Sequence, residues 1–265
     1  MVMKEYMKFV FVLPILLSLP SWAQDEEATK LGEVEATGSV LSNSASVGYE
    51  KEREKEINEL VTVFSRPFLM KQHMAAEALA YLGHSDPRIF DLVEKQLLDN
   101  YQFLQDDYAI DWASWLAKAL GFSGDEKYLP TLQIVASSAP DEKLRKYAGI
   151  AMSYTKKYMV FNPIIMNLEE DNSQTAISPQ TPRLPLALVR YRNMLNSDVP
   201  ELHKLAAKRI FFEGITEDSI TKLVLFRIDN PPPYPAPRTD SDTREWLKKS
   251  LCNSCRGFGS RKTKG

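Results

Sequence analysis

Three histidines are the first candidates for acid–base catalysis or metal binding, because imidazole titrates near neutral pH. His73, His84 and His203 lie in separate segments and form no HExxH pattern. The chain also carries no GxSxG elbow, no phosphate-binding glycine loop and no dinucleotide fingerprint. We therefore interpret the histidines as surface or packing residues, and we predict no catalytic site, no metal site and no cofactor.

Three carboxylates form an acidic cluster at Asp106, Asp107 and Asp111. One interpretation is a cation site or an acid–base pair. The other, which we favour, is a solvated loop followed by a helix that Asp111 caps. The first interpretation leaves an alternative function open, an envelope enzyme whose site brings one of these carboxylates to a histidine.

The two cysteines, Cys252 and Cys255, stand in the string CNSCRGFG. This string resembles one CxxCxGxG unit of the zinc-binding region of DnaJ-type chaperones, but a zinc site needs four ligands and one chain supplies two thiolates. Arg256 also stands where a haem-attachment motif requires histidine. For an exported protein we predict a disulfide between the two cysteines. Redox exchange, or a metal shared by two chains, is the alternative.

Aromatic residues are dense around the start of one predicted helix. Trp115 falls on the apolar stripe of that helix, which predicts a buried position. Tyr101, Phe103 and Tyr108 precede the helix, and we expect them to be exposed. Because aromatic residues dominate interface hot spots, we predict that these three residues and Trp112 form a partner-binding patch.

The N-terminus has the three parts of a secretory signal peptide. Lys4 and Lys8 precede an apolar run at residues 9–19, and Ser21-Trp22-Ala23 provides a small-residue cleavage site. We predict that residues 1–23 are removed and that the mature protein is periplasmic or secreted. The run is shorter than the roughly 20 residues that span a bilayer. No later segment is apolar enough, so we expect no stable membrane span.

Composition and charge narrow the class of partner. The chain is 44% apolar and 26% charged, as in an ordinary soluble globular protein. Loss of residues 1–23 leaves 31 basic and 34 acidic side chains, so a nucleic-acid partner is not expected. A protein or peptide of the cell envelope is the partner class that remains.

The fold class predicted from periodicity is all-α. Residues 24–49 are small, polar and acidic, which predicts a flexible lead-in. Over residues 50–230, apolar side chains recur at the spacing of helices that bury one face. A polar and proline-rich stretch, residues 169–185, predicts a loop inserted into this helical domain.

Two helix hairpins are the clearest elements. Gly83 ends the first helix of one hairpin, and Asp86-Pro87 begins its second helix. Gly121 and Asp125 hold the corresponding positions in the next hairpin. The two glycines are 38 residues apart, close to the period of HEAT and armadillo units.

Two fainter copies follow these hairpins. In the third copy, a helix after Asp141 precedes a short segment that Pro163 opens. In the fourth copy, Gly214 separates two apolar stripes.

At these residues the chain resembles the HEAT-repeat family. The resemblance is carried by residues 75–83 with Asp86-Pro87 and by residues 113–121 with Asp125, and it covers roughly residues 57–230. Tyr154-Thr155 stands where the third copy would have its glycine. The resemblance implies an α-solenoid of HEAT-like helix hairpins that binds a protein or peptide on a concave face, without catalysis.

Residues 231–265 differ from this domain. The run PPPYPAP at residues 231–237 predicts an extended spacer. Trp246, Leu247 and Leu251 then predict a short docking helix. From Lys248 onward there are six basic residues and no acidic one, so contact of this Cys-containing tail with an anionic surface is an alternative to solvation.

Together these patterns predict a non-enzymatic periplasmic helical-repeat scaffold that binds a protein or peptide partner. The alternative is an envelope enzyme or a thiol-active factor, which would use the acidic cluster or the cysteine pair.

Overall fold

A computed structural model describes the backbone of residues 37–168, 184–232 and 237–258. Side chains are described for residues 48–168, 184–232 and 241–252. These residues form ten α-helices and no strand, so the predicted all-α class is confirmed for this part of the chain. The predicted signal peptide and most of the predicted inserted loop lie outside the described residues.

The helices vary between 10 and 28 residues in length. They are α1 (Thr37–Phe64), α2 (Leu69–Leu82), α3 (Pro87–Asn100), α4 (Asp107–Phe122), α5 (Leu129–Ser138), α6 (Glu142–Ile165), α7 (Leu186–Asn196), α8 (Pro200–Glu213), α9 (Asp218–Asp229) and α10 (Pro237–Phe258). A 3-10 turn, Glu126–Tyr128, leads directly into α5.

The predicted ends of the first hairpin are confirmed. Gly83 follows α2 with a φ of 71°, a left-handed conformation that glycine adopts without steric cost. Asp86 caps α3, because its side chain accepts a hydrogen bond of 2.9 Å from the backbone N–H of Arg88. Pro87 occupies the first turn of α3, where a missing N–H leaves no bond unmade.

The third copy does not contain the separate short segment that Pro163 is predicted to open. α6 runs without interruption from Glu142 to Ile165 and includes Pro163 near its C-terminal end. Proline removes one backbone donor, but only two helical residues follow it, so α6 ends soon after Pro163 instead of breaking at it.

Both ends of the described domain are more helical than predicted. α1 begins at Thr37, inside the segment predicted as a flexible lead-in, and Tyr49 is buried. The Tyr49 hydroxyl donates a hydrogen bond of 3.0 Å to the carbonyl oxygen of Leu184. α10 begins at Pro237, within the run predicted to be extended, and buries Leu247 where it packs against α8. In both cases the stabilising surface is distant in sequence, so local composition does not reveal it.

The first six helices pack as two adjacent rows. α4 lies between α2 and α6 and packs extensively against both. α1, α3 and α5 contact one another in sequence and pack against the first row through the pairs α1–α2, α3–α4 and α5–α6. α7 contacts α1, α2 and α6, and α8 to α10 pack beyond it. One continuous hydrophobic core includes residues from Ile57 to Leu247.

Candidate functional site

The structure separates the four aromatic residues predicted to form a partner-binding patch. Phe103 is 76% exposed and Tyr108 is 41% exposed, whereas Tyr101 (8%) and Trp112 (3%) are buried. Tyr101 follows the last turn of α3, and the indole N–H of Trp112 donates to Gln72 Oε1 at 2.9 Å. Both rings are almost fully buried, so the expected exposure of Tyr101 is wrong and Trp112 is not an exposed member of a patch. Partner binding by Phe103 and Tyr108 stays a prediction.

Aromatic and charged side chains form a second surface, which we call the three-helix face because it crosses α2, α4 and α6. Its members are His73 and Glu77 on α2, Tyr108, Asp111, Trp115 and Lys118 on α4, and Lys143 and Tyr147 on α6. The four α4 residues recur at i, i+3, i+7 and i+10, which places them on one side of that helix. The face exists because α4 packs between its two neighbours.

Ring contacts join the three helices at this surface. The His73 imidazole centroid lies 5.8 Å from the Trp115 ring and 6.2 Å from the Tyr108 ring. Toward α6, Lys118 Nζ lies 3.9 Å from the centroid of the Trp115 ring and 3.9 Å from that of the Tyr147 ring. An ammonium over two aromatic faces is attracted by both ring quadrupoles.

The charges of the face are incompletely paired. Asp111 forms an ion pair with Lys143. Lys118 is half-buried, and within the described part of the chain its ammonium makes no hydrogen bond or ion pair. Burial lowers the pKa of Lys118, and the more distant carboxylates of Asp111 and Glu77 act in the opposite direction. The face therefore presents aromatic rings, which are enriched at protein interfaces, beside a partly desolvated cation.

The acidic cluster supports the start of α4. Asp106, and not the predicted Asp111, is the N-cap, since its Oδ1 accepts a hydrogen bond of 2.8 Å from the backbone N–H of Ala109. Asp107 lies in the first helical turn, where a negative charge is stabilised by the helix dipole. Among the described side chains, no group of three His, Cys, Asp or Glu residues is placed to hold a metal ion.

A buried polar cluster joins α1, the loop after α2, and α7. Glu56 Oε2 lies 2.7 Å from His84 Nε2 and 2.5 Å from a guanidinium nitrogen of Arg190. A second Arg190 nitrogen donates to Glu56 Oε1 at 3.0 Å, which completes a two-bond pair between guanidinium and carboxylate. We call Glu56, His84 and Arg190 the buried junction.

The junction holds Glu56 in its ionised form. Burial alone would raise the pKa of Glu56, but the hydrogen bonds from His84 and Arg190 outweigh it and lower that pKa to about 2. Asn162 of α6 supports the same region, since its Nδ2 lies 3.2 Å from the carbonyl oxygen of His84 and 2.9 Å from that of Phe122. His84 and Arg190 are almost fully buried, whereas 26% of the Glu56 side chain stays exposed.

Neither the junction nor most of the face follows from local sequence pattern. Glu56, His84 and Arg190 are separated by 28 and 134 positions when counted from Glu56, so no local spacing connects them. The face did leave a local signal, because aromatic and charged residues recur along α4 at one helical spacing. The apolar stripe predicts a buried Trp115, whereas the structure places Trp115 half-buried, packed against the edge of the core.

The remaining candidate residues lie apart from these clusters. His203 is buried on α8, and its Nε2 lies 2.7 Å from the carbonyl oxygen of Ser197, which fits the predicted packing role. Cys252 is exposed on α10, and the side chain of Cys255 lies outside the described residues. The predicted disulfide therefore stays a prediction.

Among the helices described, none is both long and apolar enough to cross a membrane.

Comparisons with known proteins give no relative for this chain. No protein-family model, no curated protein and no solved structure matches the sequence or the fold.

Proposed function

We propose that this protein is an exported, non-enzymatic helical-repeat scaffold that binds a protein or peptide partner through the three-helix face. The proposal includes the HEAT-like character of the helix hairpins and their arrangement as an α-solenoid. The two adjacent rows of helices support it, because stacked hairpins bury one side of each helix and leave an extended surface free.

The main support for the proposal is the environment of the Lys118 ammonium. Its ammonium lies 3.9 Å from the centroids of both the Trp115 and the Tyr147 rings, and no acceptor in the described residues uses its three N–H donors. A carboxylate or carbonyl oxygen of a partner that approaches this face would pair with an ammonium that is already oriented and partly desolvated. Pre-orientation lowers the entropy cost of binding.

The acidic cluster supports the enzyme alternative less well. Asp106 is engaged as a helix cap and Asp111 as an ion-pair partner of Lys143. His73 lies close enough for Asp111 to affect its titration, but no hydrogen bond joins the two side chains. Burial lowers the pKa of His73, which favours its neutral form.

Capture of the partner tests the proposal. The full-length protein, tagged and expressed in its own host, is crosslinked and recovered with its neighbours, and it is compared with a Lys118→Ala, Tyr147→Ala double variant. A matched control, Lys146→Ala with Ile134→Ala, removes one lysine and one exposed apolar side chain outside the face. We expect one set of proteins to be recovered by the wild type and the control and to be at least fivefold depleted in the double variant.

Equal recovery by all three proteins would contradict the proposed role of the face. Recovery of no protein by any of them would contradict the scaffold function itself. The thermal transition of each variant shows whether a loss of capture follows from unfolding instead.

A further inference from the structure

A cleft of about 340 Å³ opens between the start of α2, the end of α3 and the start of α4. Trp112, which is buried behind its surface, forms part of the floor. Phe103 and Pro67 stand at the lip. The volume is within the range of sites that take a small organic group or a few residues of a peptide.

The floor of the cleft is held rigidly. Gln72 accepts a hydrogen bond from the Trp112 indole, and its Nε2 donates to the carbonyl oxygens of Arg66 at 2.8 Å and Phe64 at 3.3 Å. The Gln72 amide therefore uses both its donor and its acceptor side within the protein. A wall with a fixed orientation is pre-organised for binding.

Three other amides on the wall keep hydrogen-bonding capacity. Gln96 Nε2 donates to the backbone carbonyl oxygen of Phe64 at 3.3 Å, and Asn100 Nδ2 donates to that of Gln96 at 2.8 Å. Neither side chain uses its amide oxygen in a hydrogen bond within the described residues. The exposed amide of Gln105 forms no hydrogen bond there. A side-chain amide carries a donor and an acceptor, the same pair that a peptide group presents.

The cleft contains almost no charge. Asp106 is the one ionisable side chain among the lining residues, and its Oδ1 is engaged by the N–H of Ala109 as the cap of α4. At the lip, Phe103 leaves most of its ring in water. Burial of a second apolar side chain against that ring would remove apolar surface of both groups from water. These features suit an uncharged occupant better than a charged one.

We infer that this cleft binds an uncharged, extended peptide segment of the partner. One bulky apolar side chain of the segment packs against Phe103, and its backbone peptide groups pair with the amides of Gln96, Asn100 and Gln105. This inference rests on the proposed function, because it assigns a chemical class to part of the partner that the three-helix face holds. Residues near the start of α4 contribute to both surfaces, Ala109 and Trp112 to the cleft and Tyr108 to the face.

Indole N–H signals in a heteronuclear NMR spectrum provide separate reporters for the two surfaces. Trp112 lies in the cleft, Trp115 on the three-helix face, and Trp246 on α10. Protein produced from the full-length chain is titrated with a capped heptapeptide that has one central phenylalanine in a Gly/Ser/Ala background. Matched probes carry alanine at the centre, or two lysines or two glutamates beside the phenylalanine.

We expect the neutral phenylalanine peptide to shift the Trp112 signal in a saturable manner while the Trp246 signal stays in place. The alanine-centred and charged peptides should bind at least fivefold more weakly. Phe103→Ala should weaken binding of the neutral peptide at least fivefold, whereas Leu98→Ala, which removes an exposed apolar side chain of α3 outside the cleft, should change it less than twofold.

No shift of Trp112 at millimolar peptide, equal binding of charged and neutral peptides, or a shift of Trp115 alone would overturn the inference. These outcomes are separate from failure of the proposed function. If the peptide does not bind but capture of the partner still depends on Lys118, the cleft is not a peptide site and the face remains the binding surface. If the peptide binds but capture does not depend on Lys118, the cleft remains a peptide site and the face is not the binding surface.

Discussion

The buried junction and the three-helix face both join helices through charged side chains, but they differ in whether the charged groups find hydrogen-bond partners within the protein. In the junction, the Glu56 carboxylate receives hydrogen bonds from His84 and Arg190, and every one of these partners belongs to the protein. In the face, the Lys118 ammonium is held by two aromatic rings and has no hydrogen-bond acceptor among the described residues. The Glu56 carboxylate is paired within the protein, although His84 Nδ1 has no hydrogen-bond partner among the described residues, whereas the Lys118 ammonium is left without an acceptor.

This difference separates a structural role from a binding role. A charge buried without its partner costs several kcal/mol, so the junction stabilises the fold only while all its members are present. A half-exposed cation still contacts water, and its removal costs little. We therefore expect changes in the junction to affect stability, and changes in the face to affect partner binding.

The largest effect is expected from Arg190→Met. This change leaves the Glu56 carboxylate buried without its two-bond partner, and it should lower the free energy of unfolding by about 3–5 kcal/mol. Denaturant unfolding of the full-length protein measures it.

The double variant Glu56→Gln, Arg190→Met is the control for this prediction. It removes both charges, and it should recover at least about 1 kcal/mol relative to Arg190→Met alone. A loss below about 1 kcal/mol for Arg190→Met would mean that the junction does not hold α7 to α1.

The next effect is a dependence of stability on pH. The folded-state pKa of Glu56, about 2, is below its ordinary value of 4.5, so its contribution is present above pH 4.5 and is lost as the pH falls toward 2. The contribution is at most about 3 kcal/mol. We expect Glu56→Gln to flatten the unfolding free energy between pH 4.5 and 2.

Glu54→Gln provides the comparison, because Glu54 pairs with Arg88 at a half-exposed site on the surface. Water screens that pair, so the acid dependence should change little. An equal change in both variants would place the acid sensitivity outside the junction.

Gly83→Ala should be the third largest effect. Gly83 has a positive φ and directly precedes the junction residue His84 in the sequence. A Cβ atom added at Gly83 would lie 2.7 Å from Ile165 Cγ2. Gly214 has a φ of 66° and open space around it. We expect Gly214→Ala to cost about 1–2 kcal/mol in thermal unfolding and Gly83→Ala at least about 1 kcal/mol more. Equal losses would show that Ile165 moves aside freely.

The smallest effect on stability is expected from Lys118→Gln. Two cation–π contacts at a half-exposed site contribute about 0.5–1 kcal/mol each, and part of that is regained as the side chain is hydrated. We expect a loss of at most about 1 kcal/mol by denaturant unfolding, close to that of Lys146→Gln on the exposed side of α6. A loss above about 2 kcal/mol would make Lys118 a structural residue like those of the junction.

Local sequence pattern predicted the helices better than it predicted either cluster. Gly83, Asp86 and Pro87 mark a helix boundary through backbone preferences of single residues, so one sequence is sufficient to place it. Glu56 and Arg190 meet only because α7 folds back on α1, and no periodicity encodes that contact.

The aromatic prediction failed in part for a related reason. Trp112 lies in the second turn of α4, where its indole N–H donates to Gln72 of α2 and its side chain is buried, so its position near a loop did not make it exposed. Phe103 has no such cover and is exposed as expected.

Position-specific crosslinking tests the central claim most directly, because it asks which surface the partner contacts in the cell. A photoreactive amino acid replaces Tyr147 on the three-helix face or, in a parallel strain, Ile134, which is exposed on α5. We expect a discrete crosslinked product from position 147 that is absent from position 134 and that Lys118→Gln weakens. The same product from both positions, or from position 134 alone, would contradict the assignment of the face as the binding surface.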